Sequence, residues 1–123
     1  MQQLLMVFLG GGLGSMMRYG VGLLLNKESI PYGTGLVNIL GSLLIGLFMG
    51  YHLKVNAQAF SQAQLAFLVI GFLGGFTTFS SFMYENLQFL FNEQYFRFFG
   101  YGLLSLVLGL MAVAGGYYLG RII

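Results

Sequence analysis

The stretch Gly74-Gly75-Phe76-Thr77-Thr78-Phe79-Ser80-Ser81-Phe82 sets paired glycines and a cluster of hydroxyls inside a run, Val55 to Tyr84, where no residue carries a formal charge. Such a run is long enough to cross a bilayer, yet glycine and β-branched or hydroxyl residues make its centre poor helix. Hydrocarbon offers no hydrogen-bond partners, so backbone that leaves the helix at membrane depth survives only where protein buries it or it lines a watery cavity. Breaks of this kind coordinate ions in transporters. The first expectation is therefore a third span broken near its middle, with an ion site at the break.

Three further windows have the same apolar character: Met1 to Asn26, interrupted only by Arg18, then Ser29 to Leu53, then Phe98 to Gly120. The chain is 58% hydrophobic and 7% charged, with a mean hydropathy of +0.84, and a soluble domain needs far more polar surface. The fold class expected is an all-α membrane protein, one four-helix domain over residues 1–123. Its helices are predicted at about 3–25, 32–53, 62–90 and 96–120. Short connections, Asn26 to Pro31, Lys54 to Gln64 and Asn92 to Arg97, hold most of the charges and the only proline. No basic residue precedes the first apolar window, which outruns a signal-peptide core, so it reads as a retained helix.

Several functions are excluded by what the chain lacks. Without cysteine there is no disulfide, thiolate nucleophile or cysteine metal site. Basic residues are scattered singly despite a pI near 9.0, too thin for a nucleic-acid footprint. His52 is the only histidine, stands at a helix end and has no nearby carboxylate or cysteine for a dyad, which argues against an enzyme.

An even number of spans puts both termini on one side, with Lys54 and Arg121, while Lys27 and Arg97 fall on the other and Arg18 leans that way. The positive-inside bias nearly cancels. Two outcomes stay open: a single orientation set by Arg18 or by lipid, or insertion both ways followed by antiparallel pairing into an isologous homodimer. Glycines indicate close helix packing, with Gly10 and Gly14, Gly71 and Gly75, and Gly116 and Gly120 as small-xxx-small pairs, and Ser42, Gly46 and Gly50 along one helix face. For most of them, packing within one subunit is the expected role.

Polar residues inside spans are costly in lipid and turn toward protein or water. Thr34, Asn38 and Ser42 recur every four residues on the second span. Thr78, Ser81 and Glu85 share a face of the third, with Phe79, Phe82 and Asn86 on the adjoining one, and Tyr101 and Ser105 align on the fourth. These could line a narrow polar route with aromatic walls, or bond helices to one another as in any bundle. No lysine or arginine sits centrally, whereas a pore for a large anion more often uses a basic ring. Phenylalanine ring edges carry the positive part of a quadrupole, and with amide and hydroxyl donors they suit a small anion of strong hydrogen-bond demand.

Three motifs then resemble the signatures of a known family, the CrcB or Fluc fluoride channels. They are Gly11-Gly12-Leu13-Gly14-Ser15-Met16-Met17-Arg18-Tyr19, then Gly33-Thr34 with Val37-Asn38 and Gly41, then Gly71-Phe72-Leu73-Gly74-Gly75-Phe76-Thr77-Thr78-Phe79-Ser80-Ser81-Phe82. Ser81 stands where that family usually has threonine, and Ser15 where alanine is common. The resemblance implies a multi-pass protein of a bacterial-type plasma (inner) membrane, forming an antiparallel dual-topology homodimer that exports fluoride passively and protects against its toxicity. It also implies a structural sodium ion held by the carbonyls of Gly74 and Thr77. Phe79 and Phe82 would form the phenylalanine box, Asn38 would contact the ion path, and Tyr101 and Ser105 would match a polar track. Thr34, Ser81 and Glu85 would be pore-lining neighbours, with Arg18 at a vestibule or in a structural role. The rival readings are a dual-topology multidrug exporter, for which the first span lacks a carboxylate, and a non-transporting assembly subunit.

Overall fold

The computed structural model describes residues 1–27, 30–55 and 60–123. The elements in chain order are α1 (Gln2–Leu25), β1 (Asn26–Lys27), β2 (Ile30–Pro31), α2 (Tyr32–Val55), α3 (Gln62–Leu65), a π-type segment (Ala66–Leu73), α4 (Gly74–Phe76), α5 (Phe79–Phe91) and α6 (Tyr95–Ile122). Among the described residues, four stretches are long and apolar enough to cross a membrane: α1, α2, the composite Gln62–Phe91 and α6. At 1.5 Å per residue, α1 and α2 each run about 36 Å, more than the roughly 30 Å of hydrocarbon. The predicted connections Asn26 to Pro31 and Lys54 to Gln64 include residues 28–29 and 56–59, which lie outside the described residues.

Two local findings differ from an all-α reading with simple helices. The first is a short antiparallel pairing of β1 with β2, Asn26 opposite Pro31 and Lys27 opposite Ile30, in the turn between α1 and α2. The second is the widening of the third span over Ala66–Leu73, a geometry that is rare and tends to mark functional places. Some helix ends run one or two residues beyond the expected bounds, and Glu85 falls at the middle of α5.

Local chemistry explains where the helices begin. Asn26 Oδ1 accepts from the Gly33 and Thr34 amides at 2.7 and 3.2 Å, capping α2 from the preceding turn. Ser61 and Gln64 form a reciprocal capping box at the start of α3, with bonds of 3.2 and 2.8 Å. Beyond α5, the Gln94 amide returns to the Phe89 carbonyl at 2.8 Å.

Burial is inverted relative to a soluble domain. Among the described residues the buried hydrophobic side chains are Val37, Ala66, Leu73, Phe76 and Phe89, whereas Phe8, Leu24, Phe96 and Leu110 are exposed. Outward apolar surface of this extent suits a lipid environment. What holds the helices is glycine. A Cβ on Gly10 or Gly14 would strike backbone of the third span, at Phe67 and Phe72. One on Gly46, Gly50, Gly116 or Gly120 would strike the facing backbone across the α2–α6 seam. The expected glycine pairs thus do serve packing within the chain. Lys54 Nζ reaches the Ile122 carbonyl at 3.1 Å, which ties the end of α2 to the chain's C-terminus.

Candidate functional site

Between α4 and α5 the backbone extends, with φ −88°, ψ 158° at Thr77 and φ −149°, ψ 119° at Thr78. A continuous α-helix would give the Gly74 carbonyl to the Thr78 amide and the Thr77 carbonyl to the Ser81 amide. Here side chains take those donors instead. The Thr78 N–H donates to Asn38 Oδ1 at 2.8 Å, and the Ser81 N–H to Thr78 Oγ1 at 3.2 Å. Gly74 and Thr77 therefore lose their α-helical donors, and these are the two carbonyls that the family resemblance implies for a sodium ion. Carbonyl oxygens suit a hard monovalent or divalent cation. Among the described residues no cluster of three or more His, Cys, Asp or Glu side chains offers an alternative metal site.

Other groups of the interrupted region are satisfied by neighbouring helices. Asn38 Nδ2 donates to the Thr78 carbonyl at 3.0 Å, so one amide side chain from α2 clamps both backbone groups of Thr78. Arg18 Nε donates to the Gly75 carbonyl at 2.9 Å, and Ser15 Oγ approaches the same oxygen at 3.5 Å. Each bond replaces one that lipid could not supply.

Two cavities flank this region. One, of about 430 Å³, is lined by Asn38, Ser42, Thr77, Thr78, Phe79, Phe82 and Ser105 together with α6 residues such as Gly109. No ionisable side chain enters it. The other, of about 210 Å³, is polar: Arg18, Asn26, Thr34, Ser81 and Glu85 line it, with Thr78 shared between the two. Thr34 Oγ1 donates to Glu85 Oε1 at 2.5 Å and Tyr101 Oη donates to Glu85 Oε2 at 2.9 Å, so Glu85 joins α2, α5 and α6. Tyr101 lines neither cavity; its ring lies 5.2 Å from that of Phe82, which is 6.3 Å from that of Phe79.

The expected residues are thus divided. Asn38, Phe79, Phe82 and Ser105 gather at the larger cavity, Thr34, Ser81, Glu85 and Arg18 at the smaller, and Tyr101 joins the sets through Phe82 and Glu85. Gly74 stays outside both. The stripe of Thr34, Asn38 and Ser42 shares a face but not a purpose, since Ser42 Oγ donates back to the Asn38 carbonyl of its own helix at 2.7 Å. Sequence reasoning missed Asn26 as the cap of α2, whose signal was an Asx residue shortly before the proline that precedes the helix. It also gave Ser15 no partner and read Asn86 only as part of an aromatic face.

Comparison with known proteins matches the sequence over most of its length. The sequence pattern described as "CrcB-like protein, Camphor Resistance (CrcB)" covers residues 5–117. A Flavobacterium psychrophilum protein named fluoride-specific ion channel FluC is 47% identical over 119 residues, 94% of each chain. Its namesake in Gloeothece citriformis is 44% identical over 122 residues, 97% of each chain, and that in Thermus thermophilus is 44% identical over 123 residues, 98% of this chain and 96% of the relative. Four apolar helices, polar side chains gathered on an interrupted third span and a match over nearly the whole length agree: this multi-pass membrane protein belongs to the CrcB-like family, a family of ion channels and not of enzymes.

Proposed function

We propose that the chain is a subunit of a passive, fluoride-selective channel in a bacterial-type plasma membrane, releasing fluoride from the cytoplasm. The observation that carries this reading is the 430 Å³ cavity. Two phenylalanines flank it, and Asn38, Ser42, Thr77, Thr78 and Ser105 supply its polar groups. A small anion can be held there by ring edges, by an Asn38 amide hydrogen and by the Ser105 hydroxyl, since the Ser42, Thr77 and Thr78 hydroxyls donate within the protein, with no fixed positive charge to trap it. Asn38 spends one amide hydrogen on the Thr78 carbonyl, which leaves the second for the cavity. Relatives named as fluoride-specific channels over nearly the full length support the choice of ion.

The finer reading is an antiparallel, dual-topology homodimer with two pathways and a central structural sodium ion. Balanced loop charge supports dual topology. The exposure of Phe79, at 74%, supports a second copy covering that ring. Gly74 and Thr77, relieved of their helical donors, are the carbonyls that would hold the sodium, two from each copy. Bound there, the ion would neutralise facing acceptors that a dry interior cannot satisfy.

The test is release from liposomes. Purified protein should discharge fluoride-loaded vesicles without a proton gradient while chloride-loaded vesicles hold their content. Release only under a proton gradient would favour an exporter, and none at all the assembly-subunit reading. Cysteines placed near Lys54 and Arg97 should label from both sides in cells. Sodium replaced by a large organic cation should weaken the dimer or its flux; equal behaviour after exchange would refute the structural ion.

A further inference from the structure

Among the described residues, Asn86 is the one buried polar side chain that the proposed fluoride pathway does not use. It is 5% exposed on α5, and its Nδ2 donates to the Phe82 carbonyl one turn earlier at 2.8 Å. Its Oδ1 is buried without a hydrogen-bond partner among the described residues. A lone buried carbonyl is costly, and an apolar side chain of the same size would remove that cost. An unsatisfied group of this kind calls for a reason beyond stability.

Its surroundings supply one. Phe82, Asn86 and Phe89 follow at helical spacing on the face of α5 that meets α6. The Tyr101 ring lies between the two phenylalanines, 5.2 Å from Phe82 and 5.9 Å, edge-on, from Phe89. Next to Tyr101 is Gly102, where a Cβ would stand 3.4 Å from Asn86 Oδ1. That is ordinary van der Waals spacing, so the amide oxygen lies against α6 at the Gly102 turn. The amide is therefore held at its nitrogen by the Phe82 carbonyl of its own helix, while its oxygen packs toward Gly102, at the level where the Phe82 ring meets Tyr101.

We propose that Asn86 is a positioning residue: its amide holds the Phe82 carbonyl of α5, packed against the Tyr101–Gly102 turn of α6, and so fixes the Phe82 ring at the cavity. Its effect on transport rests on the fluoride-channel reading; its effect on the ring does not. The experiment therefore has two readouts. One is fluoride release from liposomes. The other is the 19F resonance of 4-fluorophenylalanine incorporated in place of Phe82.

Asn86→Leu keeps the bulk and removes both amide functions. It should move or broaden the resonance and lower release about tenfold, while the thermal midpoint in detergent stays equal or rises. Asn86→Ser restores only the bond to Phe82, because a helical serine hydroxyl reaches the carbonyl four residues back. It should return the resonance and bring release to within about threefold of the parent. An unmoved resonance in Asn86→Leu overturns the proposal whatever release does. A moved resonance with unchanged release overturns its link to transport. If Asn86→Leu does not fold, Asn86→Ser decides alone: a moved resonance with lost release there refutes the tie to the Phe82 carbonyl. If the parent protein releases no fluoride, the channel reading fails, and the resonance still decides whether Asn86 sets the ring.

Discussion

Both major seams of the molecule use glycine, and they differ in what the backbone does with the closeness. Along α2 and α6, Gly46 and Gly50 face Val113 and Tyr117, while Gly116 and Gly120 face Leu43, Leu47 and Tyr51. Both helices are continuous there, so their backbones satisfy themselves and the contact is packing alone. Along α1 and the third span, Gly10, Gly14, Gly71 and Gly75 bring the chains equally near, but the third span widens over Ala66–Leu73 and leaves the helix at Thr77 and Thr78. Arg18 from α1 and Asn38 from α2 then hydrogen-bond the freed groups. Chemistry collects where a span cannot satisfy its own backbone; a self-sufficient helix pair supplies only the frame.

The first way to break this comparison is to crowd the frame. A Cβ at Gly116 would collide with the Leu43 carbonyl and stand 2.8 Å from the Leu47 amide. Backbone cannot swing aside as a side chain can, so Gly116→Leu should exceed the roughly 1–3 kcal/mol typical of overpacking. The expected outcome is loss of the monodisperse size-exclusion peak after detergent extraction. Gly115→Leu is the control, since nothing lies within 4 Å of a Cβ there, and it should fold. Equal behaviour of the two variants would mean that the α2–α6 seam is not what holds the bundle.

Smaller effects are expected where side chains support the interruption. Asn38→Leu strips partners from both the N–H and the C=O of Thr78, at about 1–3 kcal/mol for each group left unsatisfied. Fluoride release should disappear, and amide exchange should accelerate at residues 76–81. Arg18→Met removes one charge-assisted bond, worth about 1.5–3 kcal/mol. It should slow release about tenfold and speed exchange at the same segment by less. If exchange there is unchanged in both variants, the interruption is held by something other than these two side chains.

How far the sequence reaches is visible in the same two seams. Hydropathy marks the four spans, and glycines spaced by four mark both interfaces, because burial and close approach act on residue type directly. Periodicity also places Thr34, Asn38 and Ser42 on one face, but a face does not name a partner: their hydroxyl and amide groups go to Glu85, to Thr78 and back to α2 itself. The widened turns over Ala66–Leu73 have no local signature, since that run reads as ordinary apolar helix, and Gly10 and Gly14 press against it from α1, remote in sequence. Asn86 is similar. Its oxygen packs toward Gly102, sixteen residues on, and no local pattern links the two.

The smallest expected effect lies outside both seams and calibrates them. Glu93, in the turn between α5 and α6, has φ 56°, the left-handed region, which is strained for a residue with a Cβ. The turn is fixed from both sides, by the Glu93 amide to the Leu90 carbonyl at 3.1 Å and the Gln94 amide to the Phe89 carbonyl at 2.8 Å. Relief of left-handed strain is worth about 1–2 kcal/mol. Glycine gives back part of this, about 0.4–1 kcal/mol, by freeing the unfolded chain. Glu93→Gly should therefore gain stability, by about 0.5 kcal/mol or somewhat more, seen as a small rise in the thermal midpoint in detergent, with fluoride release unaltered because Glu93 touches neither cavity. A fall in the midpoint would show that the glutamate side chain holds the turn. A change in release would show that the α5–α6 turn, and not only the interrupted span, governs the path.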